Sequence, residues 1–293
     1  MSDELFELRN YFFLGNLASA IQEGETVSVD DQSASSERDV ILKRIDLAKG
    51  NYDKLIASIS DDSAPALFLV KFLAQLQKDP SCSKEVAAKV QEISSDEIAT
   101  ASPKCLLMCA VIYAHLGDFD SALRCATKVR SLEELSVMVQ VLLQMDRPDV
   151  AEKEVVEMQS IDEDATLTQL ANAWVHLYKG GEGVQEAIYM YQDLLERHGA
   201  TDQILNGMAV CHLAMGKPEE SERVLTEALT KNPNCVTSLI NVICTSKYRN
   251  KPTELVNRYF AQLEKIAPSN AWLHDYRQKE SEFDTLAEEF AAA

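Results

Sequence analysis

Apolar residues recur along this chain at helical spacing, in stretches that come in pairs. A small turn residue sits inside each pair, at Gly15, Gly50, Gly117, Asp146, Gly180, Gly216 and Asn250. The steps between them are 35, 67, 29, 34, 36 and 34 residues, the second spanning about two units. A period near 34 marks stacked helix pairs. No pair can bury its apolar face alone, so the units stack into a superhelix with a long concave wall. The pattern predicts an all-α chain, with one right-handed α-solenoid over residues 1–293.

The register holds away from the turns. Five positions after them stand Ala20, Leu55, Ala122, Ala151, Ser221 and Leu255, mostly small, which lets the second helix approach the first. Seven positions before them stand Leu8, Ala110, Val139, Ala173, Ala209 and Ile243, with Lys43 breaking the set. The unit from Leu205 to Pro233 follows the tetratricopeptide spacing best, through Ala209, His212, Gly216, Ser221, Leu225, Ala228 and Pro233. All eight prolines fall at expected helix boundaries, where a missing N–H costs little. Lys179–Gly183 is a longer turn, because Ala187 follows Gly180 by seven positions rather than five.

Two stretches lie outside the repeat. Residues 24–38 are polar and rich in Ser and Asp, which predicts a loop. The alternation Thr26-Val27-Ser28-Val29 permits a short strand there, half of a β-hairpin. Residues 271–290 form one amphipathic helix with Trp272, Tyr276, Phe283, Leu286 and Phe290 on a face, the expected C-terminal cap.

Composition narrows the function. A net charge of −19 argues against gripping a nucleic-acid backbone, which needs Lys and Arg. The opening Met1-Ser2-Asp3-Glu4 lacks a basic n-region, and no apolar run is long enough to span a bilayer. Seven cysteines without paired spacing read as thiols of a reducing compartment, so a cytoplasmic protein is expected. No hydrolase, metalloprotease or kinase motif occurs, and the five histidines are dispersed. The Gly180 loop has neither a preceding strand nor a following Gly-Lys-Ser/Thr to make a phosphate cradle. No catalysis, cofactor or metal is expected.

The first helix of each pair is expected to line the concave wall. Positions counted back from each turn give Phe12 and Phe13 in the first unit, then Leu107 and Val111, then Leu143. The later units supply Leu170, Trp174, Leu177 and Tyr178, then Asn206, Val210 and Leu213, then Tyr248. A wall this apolar predicts a permanent apolar partner. It does not suit a clamp of basic residues on a peptide carboxylate. Another repeat adaptor, a chaperone adaptor or a vesicle-fusion attachment factor, is the alternative reading.

The opening block Asp3-Glu4-Leu5-Phe6-Glu7-Leu8-Arg9-Asn10-Tyr11-Phe12-Phe13-Leu14-Gly15 resembles the coatomer epsilon subunit family. So do Tyr189-Met190-Tyr191-Gln192-Asp193-Leu194, Gly207-Met208-Ala209-Val210-Cys211-His212-Leu213 and Asn232-Pro233-Asn234. The likeness runs over almost the whole chain. It implies a non-catalytic subunit of the COPI coat, working in transport between Golgi and endoplasmic reticulum. It further implies repeats curled around the C-terminal region of the alpha subunit, with the beta-prime subunit completing the subcomplex. Attachment to Golgi membrane and vesicles would come only through the coat. The 24–38 segment would then be an insertion helping to close the ring.

Overall fold

The structure is a computed structural model and describes residues 3–29, 31–60 and 63–292; Met1, Ser2, Asp30, Asp61, Asp62 and Ala293 lie outside the described residues. Eight helix pairs follow one another. They are α1 (Phe6–Phe13) with α2 (Leu17–Thr26), α3 (Gln32–Ala48) with α4 (Tyr52–Ser58), and α5 (Pro65–Lys78) with α6 (Ser83–Ser95). After the short α7 (Glu97–Thr100) come α8 (Pro103–Leu116) with α9 (Phe119–Ala126), and α10 (Leu132–Gln144) with α11 (Pro148–Ile161). The last three pairs are α12 (Thr166–Lys179) with α13 (Gly183–His198), α14 (Asp202–Ala214) with α15 (Pro218–Lys231), and α16 (Val236–Tyr248) with α17 (Thr253–Ile266). A long helix, α18 (Ala271–Ala292), closes the described chain.

The recurrent residue has a structural cause. All seven turn positions have positive φ, between 51° at Asn250 and 78° at Gly117. In six of them the next residue's N–H reaches the carbonyl five positions back, as Asp118 does to Tyr113 at 3.0 Å and Lys217 to His212 at 2.9 Å. That bond closes the helix and reverses the chain, and it needs positive φ. Glycine reaches this conformation at no steric cost, and Asp and Asn are the side chains that tolerate it best. Gly180 departs from the rule: its loop closes through Gly183 N–H to the Gly180 carbonyl, as the extra residues require. Between α5 and α6 the extended Asp79 and a 3₁₀ turn at Pro80–Cys82 make the connection.

Pro65, Pro103, Pro148 and Pro218 each open a helix. Small residues in the second helices, Ala122, Ala151, Ala187 and Ser221, are at most 1% exposed, where the helices of a pair meet. First helices also touch from pair to pair, α3 on α5, α5 on α8, α8 on α10, α10 on α12 and α14 on α16. Successive second helices make no comparable contact. First helices are therefore crowded on the inside of the curve and second helices are splayed outside.

The 24–38 segment is not a loop or hairpin. Helix α2 runs on to Thr26 and α3 begins at Gln32, leaving only a short connection; no strand occurs among the described residues. The Asp31 carboxylate accepts from the Ala34 N–H at 3.3 Å and caps α3. Val27 and Val29 pack on the cluster formed by Leu5, Leu8, Ala20, Ile41 and Ile45 rather than pairing as a strand. Helix α18 caps with its first third alone. Leu273 is buried there, and Trp272 and Tyr276 stack around Phe260 of α17 at 6.3 and 5.0 Å. From Ser281 to Ala291 every residue is exposed.

Candidate functional site

The curve closes on itself. Helix α1 packs on α12, and the Thr166 hydroxyl donates to Asn10 Oδ1 at 2.9 Å. Leu14 joins the core of the sixth and seventh pairs with Leu170, Ala173 and Leu205. Gly15 meets the start of α14, where a methyl group on it would stand 3.5 Å from Gln203 Cβ.

A row of alternating charges ties the same region together. Asp3 pairs with Arg9 of α1, and Arg9 Nε donates to Glu37 of α3 at 2.7 Å. Lys104 of α8 lies 3.0 Å from both Glu37 and Glu133 of α10. Glu133 also pairs with Arg44 of α3, whose guanidinium lies 4.7 Å over the Phe12 ring. Burial alone would push the Glu133 carboxyl up, but Arg44 and Lys104 outweigh it and bring it down to about 2. The same balance lowers Glu37: burial raises it, and the hydrogen bond from Arg9 and the charges of Lys104 and Arg9 overcome that. Sequence reasoning missed this cluster. One signal was available, since α10 (LEELSVMVQVLLQ) is apolar almost all round yet carries Glu133 and Glu134. A helix of that kind is buried on every side, and its carboxylates need partners.

The closure decides which wall positions can meet a partner. Leu107 is 0% exposed and Leu170 1%, so both belong to the protein's own core. Phe13, Val111, Leu143 and Trp174 are partly buried against the first of the large clusters, and Phe12 against the N-terminal one. Trp174 also packs on the second large cluster and hydrogen-bonds Tyr191. Asn206 is likewise committed within the fold. It donates to Ser238 Oγ at 2.8 Å and accepts from Asn241 Nδ2 at 2.8 Å, stapling α14 to α16. The expected wall was counted by register within each unit, and register cannot register α1 and α3 folding back over α8, α10 and α12.

An open stretch persists on the later first helices. Tyr178 is 46% exposed, Val210 36% and Tyr248 66%, with Leu177 and Leu213 half-buried beside them. Tyr178 donates its hydroxyl to Asp146 at 2.9 Å and so is held at the rim. No cation on this stretch resembles a carboxylate clamp: Lys247 lies 5.3 Å over the Tyr276 ring. Among the described residues no group of three or more His, Cys, Asp or Glu is placed to hold a metal, and no helix is long and apolar enough to cross a membrane.

Comparison with known proteins agrees with this architecture. The crystal structure of a tetratricopeptide repeat protein from Parabacteroides merdae superposes with a TM-score of 0.55 at 12% identity, over 93% of this chain and 95% of that one. The Cut9 complex with Hcn1 gives 0.58 at 11% identity, over 94% and 55%. At such identities the likeness is one of fold. In sequence, the chain is 34% identical to coatomer subunit epsilon-1 of Arabidopsis thaliana, over 99% of this chain and 98% of that protein. It is 31% identical to coatomer subunit epsilon of Dictyostelium discoideum, over 99% and 100%. The family model described as coatomer epsilon subunit matches residues 1–291. The chain belongs to the coatomer epsilon subunit family, and is a subunit of the COPI coat built as a tetratricopeptide-like solenoid.

Proposed function

We propose that the chain is a non-catalytic scaffold that holds the C-terminal region of the alpha subunit, with beta-prime and the other coatomer subunits assembled around that pair. It would serve transport between Golgi and endoplasmic reticulum and reach the membrane only through the coat. The observation that carries this reading is the row Tyr178, Val210 and Tyr248, exposed on the inner helices α12, α14 and α16, with Leu177 and Leu213 half-buried beside them. Burying such surface contributes roughly 25 cal/mol per Å² before the ordering costs of association. A chaperone-adaptor role finds no support on this wall, where Asn206 and Lys247 are already engaged within the fold.

The test is a triple substitution, Tyr178→Ala, Val210→Ser and Tyr248→Ala. All three side chains are well exposed, so helix content and melting point should stay near those of the parent. Affinity for a purified alpha C-terminal region should fall at least tenfold by titration. Unchanged affinity in a folded variant would remove the inner wall from the binding account. Trp174→Ala is a poor probe, because Trp174 supports two clusters of the core.

A further inference from the structure

Helix α18 occupies the place of a first helix in a ninth unit. It packs on the preceding second helix through Trp272, Tyr276 and Phe260, and Arg277 pairs with Glu264 of α17 at 2.8 Å. In each of the eight complete pairs a second helix lies against the first. On α18 none does among the described residues. Its 22 residues reach about 33 Å, and beyond Glu280 they leave the solenoid. The apolar stripe that begins at Trp272 and Tyr276 continues there as Phe283, Leu286 and Phe290, which are 70%, 53% and 82% exposed. Isolated exposed apolar residues are ordinary, but three at helical spacing on one face are a docking stripe.

Charge selects the occupant. The free part carries Glu282, Asp284, Glu288 and Glu289 and no Lys or Arg, while Glu280 at its start is paired with Arg277 at 2.8 Å. Glu282 and Glu289 border one edge of the stripe, and Asp284 the other, by helical position. A second copy would bring acid against acid, and an anionic membrane surface would be repelled in the same way. We propose that α18 receives an amphipathic helix from another protein, apolar along one face and flanked by Lys and Arg, which completes the ninth unit. Phe283, Leu286 and Phe290 are a different set of side chains from the row Tyr178, Val210 and Tyr248, and the proposal stands whether or not that row holds the alpha subunit.

The test uses the full chain and two labelled synthetic helical peptides with the same leucine stripe, one flanked by lysine and one by glutamate. The lysine peptide should bind and slow amide exchange across residues 281–291. The triple variant Phe283→Ser, Leu286→Ser and Phe290→Ser keeps every charge and alters only exposed side chains. It should weaken binding at least tenfold, and the glutamate peptide should not bind. Equal binding to the variant would mean charge attraction alone and would overturn the proposal. So would the absence of slowed exchange in α18, tight binding of the glutamate peptide, or self-association of the parent chain that the triple variant abolishes.

Discussion

Glu133→Ala is expected to destabilise the folded chain by about 3–5 kcal/mol, the usual cost of breaking a buried ion pair from one side. Glu133 is 7% exposed and lies between Arg44 and Lys104. Without its carboxylate, two half-buried cations lose their shared partner, and Glu37 and Glu134 are left to balance Lys104. Denaturant titration by circular dichroism reads the loss. It should extend to the junction of α1 and α3 with α8 and α10, so amide exchange should quicken there before it quickens in α14–α17. A loss below about 1 kcal/mol would show that the charged row is no more than a surface network.

The same group sets an acid limit. Its carboxyl is held at about 2 in the fold, below its ordinary 4.5, and Glu37 is lowered too. A lowered carboxylate contributes its full stability above the ordinary value and loses it as pH falls toward the folded one. Stability should therefore be flat in this respect above about pH 4.5 and fall between there and pH 2. In Glu133→Ala that fall should be shallower.

Gly207→Ala is the second large effect, and its cause is steric. A Cβ at Gly207 would stand 2.3 Å from Tyr191 Cζ and 2.4 Å from Cε1. Tyr191 is 3% exposed, and burial pushes its phenol well above the ordinary range while Trp174 hydrogen-bonds it. The ring cannot swing to solvent without opening the core that α13 and α14 share. Overpacking of this kind costs about 3 kcal/mol, and a midpoint of unfolding lower by on the order of 10 °C is expected. Tyr191→Leu in the same chain shortens the obstructing side chain. It should recover part of the loss, as a double-mutant cycle would read. Additive losses would mean that the ring is not what Gly207 accommodates.

What the sequence made legible was local. The seven turn residues, the prolines at helix starts and the small side chains between paired helices each answer to one backbone constraint a few residues long. The 24–38 segment misled because its polarity is the polarity of a helix whose partners are charged. Glu37 looks like a loop residue until Arg9 and Lys104 are placed beside it. The wall positions were counted by register within each pair, and register within a repeat carries no information about closure. Asn10 and Thr166 meet across 156 residues, and Leu14 beside that meeting shares a core cluster with Leu170, an expected partner contact. The cap at α18 was legible as an amphipathic stripe. Only the packing shows that the stripe outruns its support.

The central claim, that the open inner wall of α12, α14 and α16 holds the alpha subunit, is tested most directly by site-specific photo-cross-linking. A benzophenone side chain placed singly at Val210 or Tyr248 should cross-link to the alpha C-terminal region. The same group at Tyr189, 55% exposed on the second helix α13, should not. Cross-links from Tyr189, with none from Val210 or Tyr248, would place the partner on the outer face and contradict the account.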